Sequence, residues 1–270
     1  MKKAPLALPA KTFLHGYMSS ENERIDKIND DITLIQSKNG LTFTTDAYLL
    51  SAYVRRPAGK SVRLLELGAG TGVVSLLLAS RGRADKIVAL EVQEKFAEIM
   101  TRNVENNGFS DIIEPVCMDV RDAAEKDLGM FDAVFSNPPY MRAGSGFESA
   151  HGEANIARRE VFGGLHDFCA AAGRLCRFGG MFYVVYRPER FAELCSELRS
   201  CGFEPKAATF LHPDADKRPS LVFVTARRGG AAGMIVTQPL FAYERGTRNE
   251  TETFRSIYDT GSFPDEFLVR

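Results

Sequence analysis

Apolar positions along the chain fall into two rhythms. Asp31–Gln36 alternates as a short strand does, Lys38-Asn39-Gly40 is a turn signal, and Leu41–Thr44 reads as the partner strand. A hairpin is therefore expected after a loosely tied, charged arm over 1–30. Residues 46–54 place Leu49, Leu50 and Tyr53 for packing and stop at Arg55-Arg56-Pro57, which predicts a short helix. From position 61 strands and helices alternate. Strands are expected at 61–67, 86–91, 112–117, 131–136 and 181–186, with helices at 73–80, 94–106, 156–176 and 189–200. The last apolar segments, 206–211 and 220–226, flank the polar loop HPDADKRPS and predict neighbouring strands without a crossover helix. The order predicts an α/β fold: a mostly parallel sheet, helices on both faces, a terminal antiparallel strand, and a small N-terminal hairpin and cap. Three regions follow: arm, hairpin and cap helix over 1–57, a core over 58–228, and an extension over 229–270.

Composition narrows the class. The 270 residues, 44% hydrophobic and 26% charged, suit one sizeable domain with modest additions and exclude a mainly disordered chain. Thirty-four Lys+Arg against 35 Asp+Glu give a net charge of -1, so a nucleic acid would have to meet a local basic face. No stretch approaches the roughly 18 apolar residues that cross a bilayer. The short run after Lys3 contains two prolines and is followed by Lys11 and His15, which argues against a signal peptide. Cys117, Cys169, Cys176, Cys195 and Cys201 form no C-x-x-C pair and have no histidine at ligand spacing. Buried free thiols, no metal and a cytoplasmic location are expected. Monomer and weak homodimer both stay open.

Chemistry begins at Glu66-Leu67-Gly68-Ala69-Gly70-Thr71-Gly72, directly after a strand. Gly68, Gly70 and Gly72 permit a sharp turn and a close ligand approach. A phosphate loop would need Lys-Ser/Thr after the glycines, and a dinucleotide fingerprint would need G-x-G-x-x-G; neither is present. The Glu66 carboxylate suits a cationic or hydrogen-bond-donating ligand group better than a pyrophosphate. Glu91 ends the second strand, where a carboxylate can accept from ribose hydroxyls, as for NAD or S-adenosylmethionine. Asp119 follows the third strand and can meet an adenine amino group, or cap a short helix over 120–126. Val92 and Met118 would wall the adenine ring.

Asn137-Pro138-Pro139-Tyr140 follows the fourth strand. Two prolines lack N–H donors and fix φ, so they end the strand in a rigid turn. The Asn137 amide can both accept and donate, and Tyr140 offers a stacking surface for a planar group. An exocyclic amine or amide nitrogen delocalises its lone pair, and attack on a sulfonium methyl needs that pair gathered on nitrogen. Acceptors on Asn137 and the Pro138 carbonyl would hold the two N–H bonds in that geometry. No strong base is required beforehand, because the amine is neutral and loses its proton after transfer.

With these motifs the chain resembles class I S-adenosylmethionine-dependent methyltransferases of the amino-methylating N-P-P-Y/F type. Asp31–Gln36, Phe43–Ala47 with Leu49 and Leu50, Ala157–Glu160, and Pro239, Leu240, Tyr243, Ile257 and Tyr258 extend the likeness. They resemble the bacterial tRNA1(Val) (adenine-37-N6)-methyltransferase family, over about residues 30–260. The resemblance implies a Rossmann-like, seven-stranded sheet, S-adenosylmethionine as cofactor, tRNA as partner and N6 of an adenine as acceptor. It also implies Thr45 and Asp46 as cofactor-side residues, although the same Thr-Thr-Asp run serves equally as an N-cap. Ala69 and Thr71 differ from many relatives, and the loop after Tyr140 is rich in glycine and short of lysine.

Basic residues near the expected mouth are Arg142, His151, Arg158 and Arg159, then Arg187 and Arg190 after the fifth strand, then Lys217-Arg218. They would ring an anticodon loop whose flipped adenine enters against Tyr140, with Phe147 as a second aromatic surface. Taken singly, each arginine serves as well to solubilise a helix end. A competing enzyme reading is methylation of a release-factor glutamine amide, expected to carry a helical N-terminal substrate domain where this chain predicts a hairpin. A DNA adenine methyltransferase would need a target-recognition domain. A catalytically inactive RNA-binding scaffold leaves Glu66, Glu91 and Asn137–Tyr140 without purpose, and a dehydrogenase leaves Asn137–Tyr140 unexplained.

Overall fold

The computed structural model describes residues 22–38, 44–123, 125–140 and 163–268. Its first element is an antiparallel ribbon of β1 (Glu23–Lys27) and β2 (Thr33–Ser37), with Ile25 opposite Ile35. This corrects the expected hairpin. The partner of β2 comes from the segment read as a loose arm, and the expected turn and second strand, 39–43, lie outside the described residues. The cap helix follows as α1 (Thr45–Tyr53).

The core runs β3 (Arg63–Leu67), α2 (Val73–Ser80), β4 (Lys86–Glu91), α3 (Glu94–Asn106), β5 (Ile113–Cys117) and β6 (Phe131–Ser136). It continues with α4 (Leu165–Leu175), β7 (Cys176–Tyr186), a 3-10 turn at Pro188–Arg190, α5 (Phe191–Ser200), β8 (Phe203–His212) and β9 (Leu221–Arg228). The extension adds β10 (Ile235–Val236), β11 (Leu240–Phe241) and α6 (Glu252–Thr260). Sheet order is β5-β4-β3-β6-β7-β9-β8, and β10 and β11 pair with β8 to make nine strands. The antiparallel strand, β9, is the last core strand in the chain but lies between β7 and β8 rather than at an edge. The tail strands were not foreseen, since two residues apiece leave no periodicity to read.

Alternation along the strands explains the two covered faces. Leu64, Ala89, Phe135 and Val185 pack with α1 and α2, whereas Leu65, Leu90, Val134 and Val184 pack with Phe168 of α4 and Leu194 of α5. The extension returns to the first face. Leu240, Phe254, Ile257 and Phe263 join its cluster, and the Tyr258 ring stacks on Tyr48 of α1 at 4.5 Å. Two α3 asparagines hold the ribbon. Buried Asn103 accepts from Ile35 N (2.7 Å) and donates to Ile35 O (3.0 Å) and to Thr71 O (2.9 Å), and Asn107 brackets Thr33 in the same way. The ribbon is thereby tied to the turn after β3.

Three further expectations change. Cys176 begins β7 instead of ending the preceding helix, whose expected residues 156–162 lie outside the described set. Glycine at 180 lets β7 pass close to β6, since a Cβ there would sit 2.9 Å from the Asp132 carbonyl oxygen. The segment after Asp119 forms turns in place of a helix. Of the free thiols Cys169 and Cys176 are buried, Cys195 and Cys201 are partly covered, and Cys117 is exposed. No helix among the described residues is long and apolar enough to cross a membrane.

Candidate active site

Strand order turns over at β3, which has β4 on one side and β6 on the other. An open α/β sheet forms its ligand crevice at the carboxyl ends of such strands. Leu67 pairs with Ser136, whose hydroxyl donates to the Leu67 carbonyl at 2.7 Å. Gly68 and Asn137 therefore begin their turns side by side, and motifs distant in sequence share one crevice.

The glycine turn is fixed by its own backbone. Gly68, Gly70 and Gly72 adopt φ of 73°, 56° and 84°, and Ala69 N donates to Leu90 O at 2.8 Å. At Gly72, the N-cap of α2, a Cβ would stand 2.8 Å from Met100 Cγ. At Gly70 a Cβ would meet nothing within 4 Å, so the backbone there borders open space. Gly70 N donates to Glu91 Oε2 (2.8 Å) and Gln93 N donates to Glu91 Oε1 (2.9 Å). Burial pushes the Glu91 carboxyl pKa up. Val92 and Met118, both half-buried, flank Glu91, and Met118 N donates to its carbonyl at 2.9 Å.

Two carboxylates are engaged differently from the sequence expectation. Asp119 accepts from Arg121 N and Nε, both at 2.9 Å, and this pairing holds its carboxyl below the usual range. It caps a turn, not a helix. Glu66 lies beneath the glycine turn, 3% exposed, and accepts from Ser75 N at 3.2 Å and from the Ser75 hydroxyl. Burial raises its pKa to about 8, opposed by the Ser75 donors and reinforced by the charge of Glu91. A carboxyl raised on folding stabilises the fold fully below its unfolded pKa, and that contribution is lost as pH rises through about 8. The ligand-free wild type should therefore lose more thermal stability than Glu66→Gln between about pH 5 and about pH 9. Parallel melting curves by scanning fluorimetry would show that Glu66 does not titrate in this way.

The Asn137–Tyr140 turn is anchored at its far end. Pro138 is buried, Asn137 and Pro139 are half-buried, and Asn137 Oδ1 is buried with no hydrogen-bond partner among the described residues. Native structures seldom leave such an acceptor unmatched, so it is available to an N–H donor that enters the crevice. The Tyr140 hydroxyl donates to Asp46 Oδ2 at 3.4 Å, and Asp46 also accepts from Ala47 N and the Thr44 hydroxyl. Asp46 thus joins the crevice. Thr45, the first residue of α1, is exposed. The Arg187 guanidinium lies 5.7 Å from the Tyr140 ring centroid, within cation–π range. Arg142 and Arg158, with His151, Arg159 and Phe147, lie outside the described residues. Arg190, grouped by sequence with the surface cations, instead donates to the Tyr140 carbonyl at 3.2 Å. Glu193 three residues later was the available signal.

Together these residues fit a nucleoside-bearing cofactor. Glu91 supplies acceptors, Val92 and Met118 supply apolar walls, the backbone at Gly70 leaves room, and Asn137 Oδ1 is an unmatched acceptor. A cavity of about 590 Å³ bordered by Arg63, Lys86, Thr101, Glu105 and Glu114 lies at the amino ends of β3–β5, the opposite edge of the sheet. It contains none of these groups, which lie at the carboxyl edge. No cluster of three or more His, Cys, Asp or Glu among the described residues is placed to hold a metal.

Sheet order and crevice define a Rossmann-like class I methyltransferase fold. Over 82% of this chain and 98% of its own length, a structure described as a predicted O-methyltransferase from Agrobacterium tumefaciens superposes with a TM-score of 0.66 at 25% identity. Residues 50–150 match the family model described as Conserved hypothetical protein 95. The chain is homologous to bacterial proteins named tRNA1(Val) (adenine(37)-N6)-methyltransferase. It is 31% identical to one from Bacteroides fragilis (strain YCH46) over 57% of this chain and 63% of that relative. Against one from Dyadobacter fermentans it is 24% identical over 83% of this chain and 92% of the relative. The match to the Bacteroides relative spans less than two thirds of that protein's length.

Proposed function

We propose that this protein transfers a methyl group from S-adenosylmethionine to the N6 amine of an adenine in tRNA, namely A37 of tRNA1(Val). The buried Asn137 Oδ1, without a partner among the described residues, carries the reading, because it lies at the switch point beside the glycine turn and can accept from an N–H donor. The names of the homologous bacterial proteins support the choice of acceptor.

When bound, the cofactor supplies a methyl group on a positively charged sulfur. Glu91 accepts from the ribose hydroxyls, and Gly68, Gly70 and Gly72 let the backbone come close. Val92 and Met118 enclose the adenine ring, and Glu66 beneath the turn, its carboxyl held by Ser75, supports the backbone that faces the cofactor. Asp119, already forked by Arg121, borders the same end, and Asp46 closes it from α1. On the acceptor side, Asn137 Oδ1 and the Pro138 carbonyl take the two N–H bonds, directing the nitrogen lone pair to the methyl. Pro139 keeps the turn rigid, and Tyr140 stacks on the flipped base. Arg187 sits where a phosphate or the base can meet it, and Arg142 and Arg158 complete the proposed RNA contacts. The reading places the enzyme in the cytoplasm with its substrate.

A glutamine amide presents the same two N–H bonds, so chemistry at Asn137 does not separate RNA from a release factor. The test is transfer of labelled methyl from S-adenosylmethionine to unmodified tRNA1(Val) transcript, followed by nucleoside digestion. N6-methyladenosine at position 37 is expected. Label on a release-factor glutamine, with none on the transcript, would overturn the assignment.

A further inference from the structure

We infer that Arg190 is a positioning residue that holds the Asn137–Tyr140 turn through the Tyr140 carbonyl and is not an RNA phosphate contact. The inference rests on the methyl-transfer reading and adds a residue to its acceptor side. Arg190 Nη1 donates to Tyr140 O at 3.2 Å. Its Nε and Nη2 donate to the two carboxylate oxygens of Glu193 at 2.8 and 2.6 Å. The guanidinium also lies 5.2 Å from the ring centroid of Tyr186, the last residue of β7.

Each contact removes a degree of freedom. A bidentate pair fixes the guanidinium plane, stacking fixes its height, and the third nitrogen donates to the Tyr140 carbonyl. Glu193 sits at i+3 and shares a helix face with Arg190, so this support is built into one short segment. The side chain is 15% exposed and its charge is matched by a carboxylate, which a phosphate would have to approach. Such an arginine suits internal alignment better than nucleic-acid neutralisation.

Placement in the sheet makes the alignment consequential. Ser136 of β6 pairs with Val184 of β7, so Asn137 leaves one strand beside the strand whose following turn carries Arg187 and Arg190. Tyr140 is then held at its carbonyl by Arg190, at its ring by Arg187 and at its hydroxyl by Asp46. Arg187 and Arg190 both come from the β7–α5 connection. Loosening the carbonyl anchor shifts the turn that carries the Asn137 and Pro138 acceptors, and small misplacements of reacting groups are costly in rate.

The experiment uses full-length enzyme, with tRNA1(Val) transcript as acceptor and 3-fluorotyrosine placed at position 140 for fluorine NMR. Arg190→Ala should lower kcat by about tenfold or more. The KM for tRNA and the Kd for S-adenosylmethionine should stay within about threefold, and the fluorine resonance should shift or broaden. Arg190→Lys should fall between, since an ammonium cannot serve the carbonyl and both Glu193 oxygens in one plane. An unchanged kcat and resonance, with weaker RNA binding and a salt slope reduced by about one, would make Arg190 a phosphate contact and overturn the inference. So would a lowered melting temperature with unchanged kcat. Should Arg190→Ala fail to fold, Glu193→Gln keeps the guanidinium and its stack but weakens the fork. A smaller drop in kcat with a fluorine shift is then expected, and no change in either would refute the role. If wild-type enzyme methylates no tRNA, the substrate reading fails, whereas the fluorine response still decides whether Arg190 holds Tyr140.

Discussion

Replacing Asn137 with alanine should lower methyl transfer by about 10²–10³-fold, the range seen when one preorganised transition-state contact is removed. Its Oδ1 is buried without a partner among the described residues, so that oxygen makes no contact there that alanine would remove from the fold. The loss should therefore fall on kcat, with S-adenosylmethionine affinity within about threefold of wild type. Asn137→Asp separates geometry from charge. It keeps an acceptor oxygen at the same place, removes the amide donor and adds a negative charge in a half-buried crevice. Intermediate turnover is expected from it, measured as labelled methyl incorporated per enzyme in single-turnover reactions at saturating cofactor. Substantial turnover in Asn137→Ala would remove the amide from the mechanism and leave only the Pro138 carbonyl as acceptor.

The backbone turns of the candidate site were more legible than their surroundings. The strand at 131–136 and the helix at 94–106 emerge with the bounds their patterns predict, since each is a strongly periodic segment bounded by turn residues. Glycine and proline motifs announce backbone geometry directly, which is why Gly68–Gly72 and Asn137–Tyr140 were found and why strand order then brings them together. Elements built without an apolar signal escaped. β1 contains one apolar residue, Ile25, which is 42% exposed, and the strand exists through backbone pairing with β2. The start of β7 escapes as well, since Cys176 falls at the end of the expected helix and two glycines interrupt Arg177-Phe178-Gly179-Gly180 before the apolar run at 181–186. Side-chain partners were least legible. Nothing in the composition says that Asp119 would fork Arg121, or that Arg190, beyond its pairing with Glu193, would turn inward to the Tyr140 carbonyl. Charge is visible in a sequence, but its direction is decided by neighbours three-dimensionally.

Glu91→Ala should produce the opposite kinetic pattern to Asn137→Ala. The Glu91 carboxylate, 5% exposed, accepts from Gly70 N and Gln93 N and so clasps the glycine turn from the neighbouring strand. Its removal strips the proposed ribose acceptor and leaves the Gly70 N–H without its anchor. Hydrogen bonds to a charged group contribute about 1.5–3 kcal/mol each, and partial replacement by water recovers some of that. Weakening of S-adenosylmethionine binding by about 10²-fold is expected by isothermal titration calorimetry, about 1.4 kcal/mol corresponding to each tenfold step. At saturating cofactor kcat should recover to within a few-fold, because Asn137 and Tyr140 stand on a different strand connection. Glu91→Gln should lie nearer wild type in fold stability than in affinity, since its carbonyl can still accept from Gly70 N whereas its amide cannot accept from a ribose hydroxyl. Unchanged cofactor affinity in Glu91→Ala would confine Glu91 to holding the turn and move the ribose contact elsewhere along the carboxyl edge.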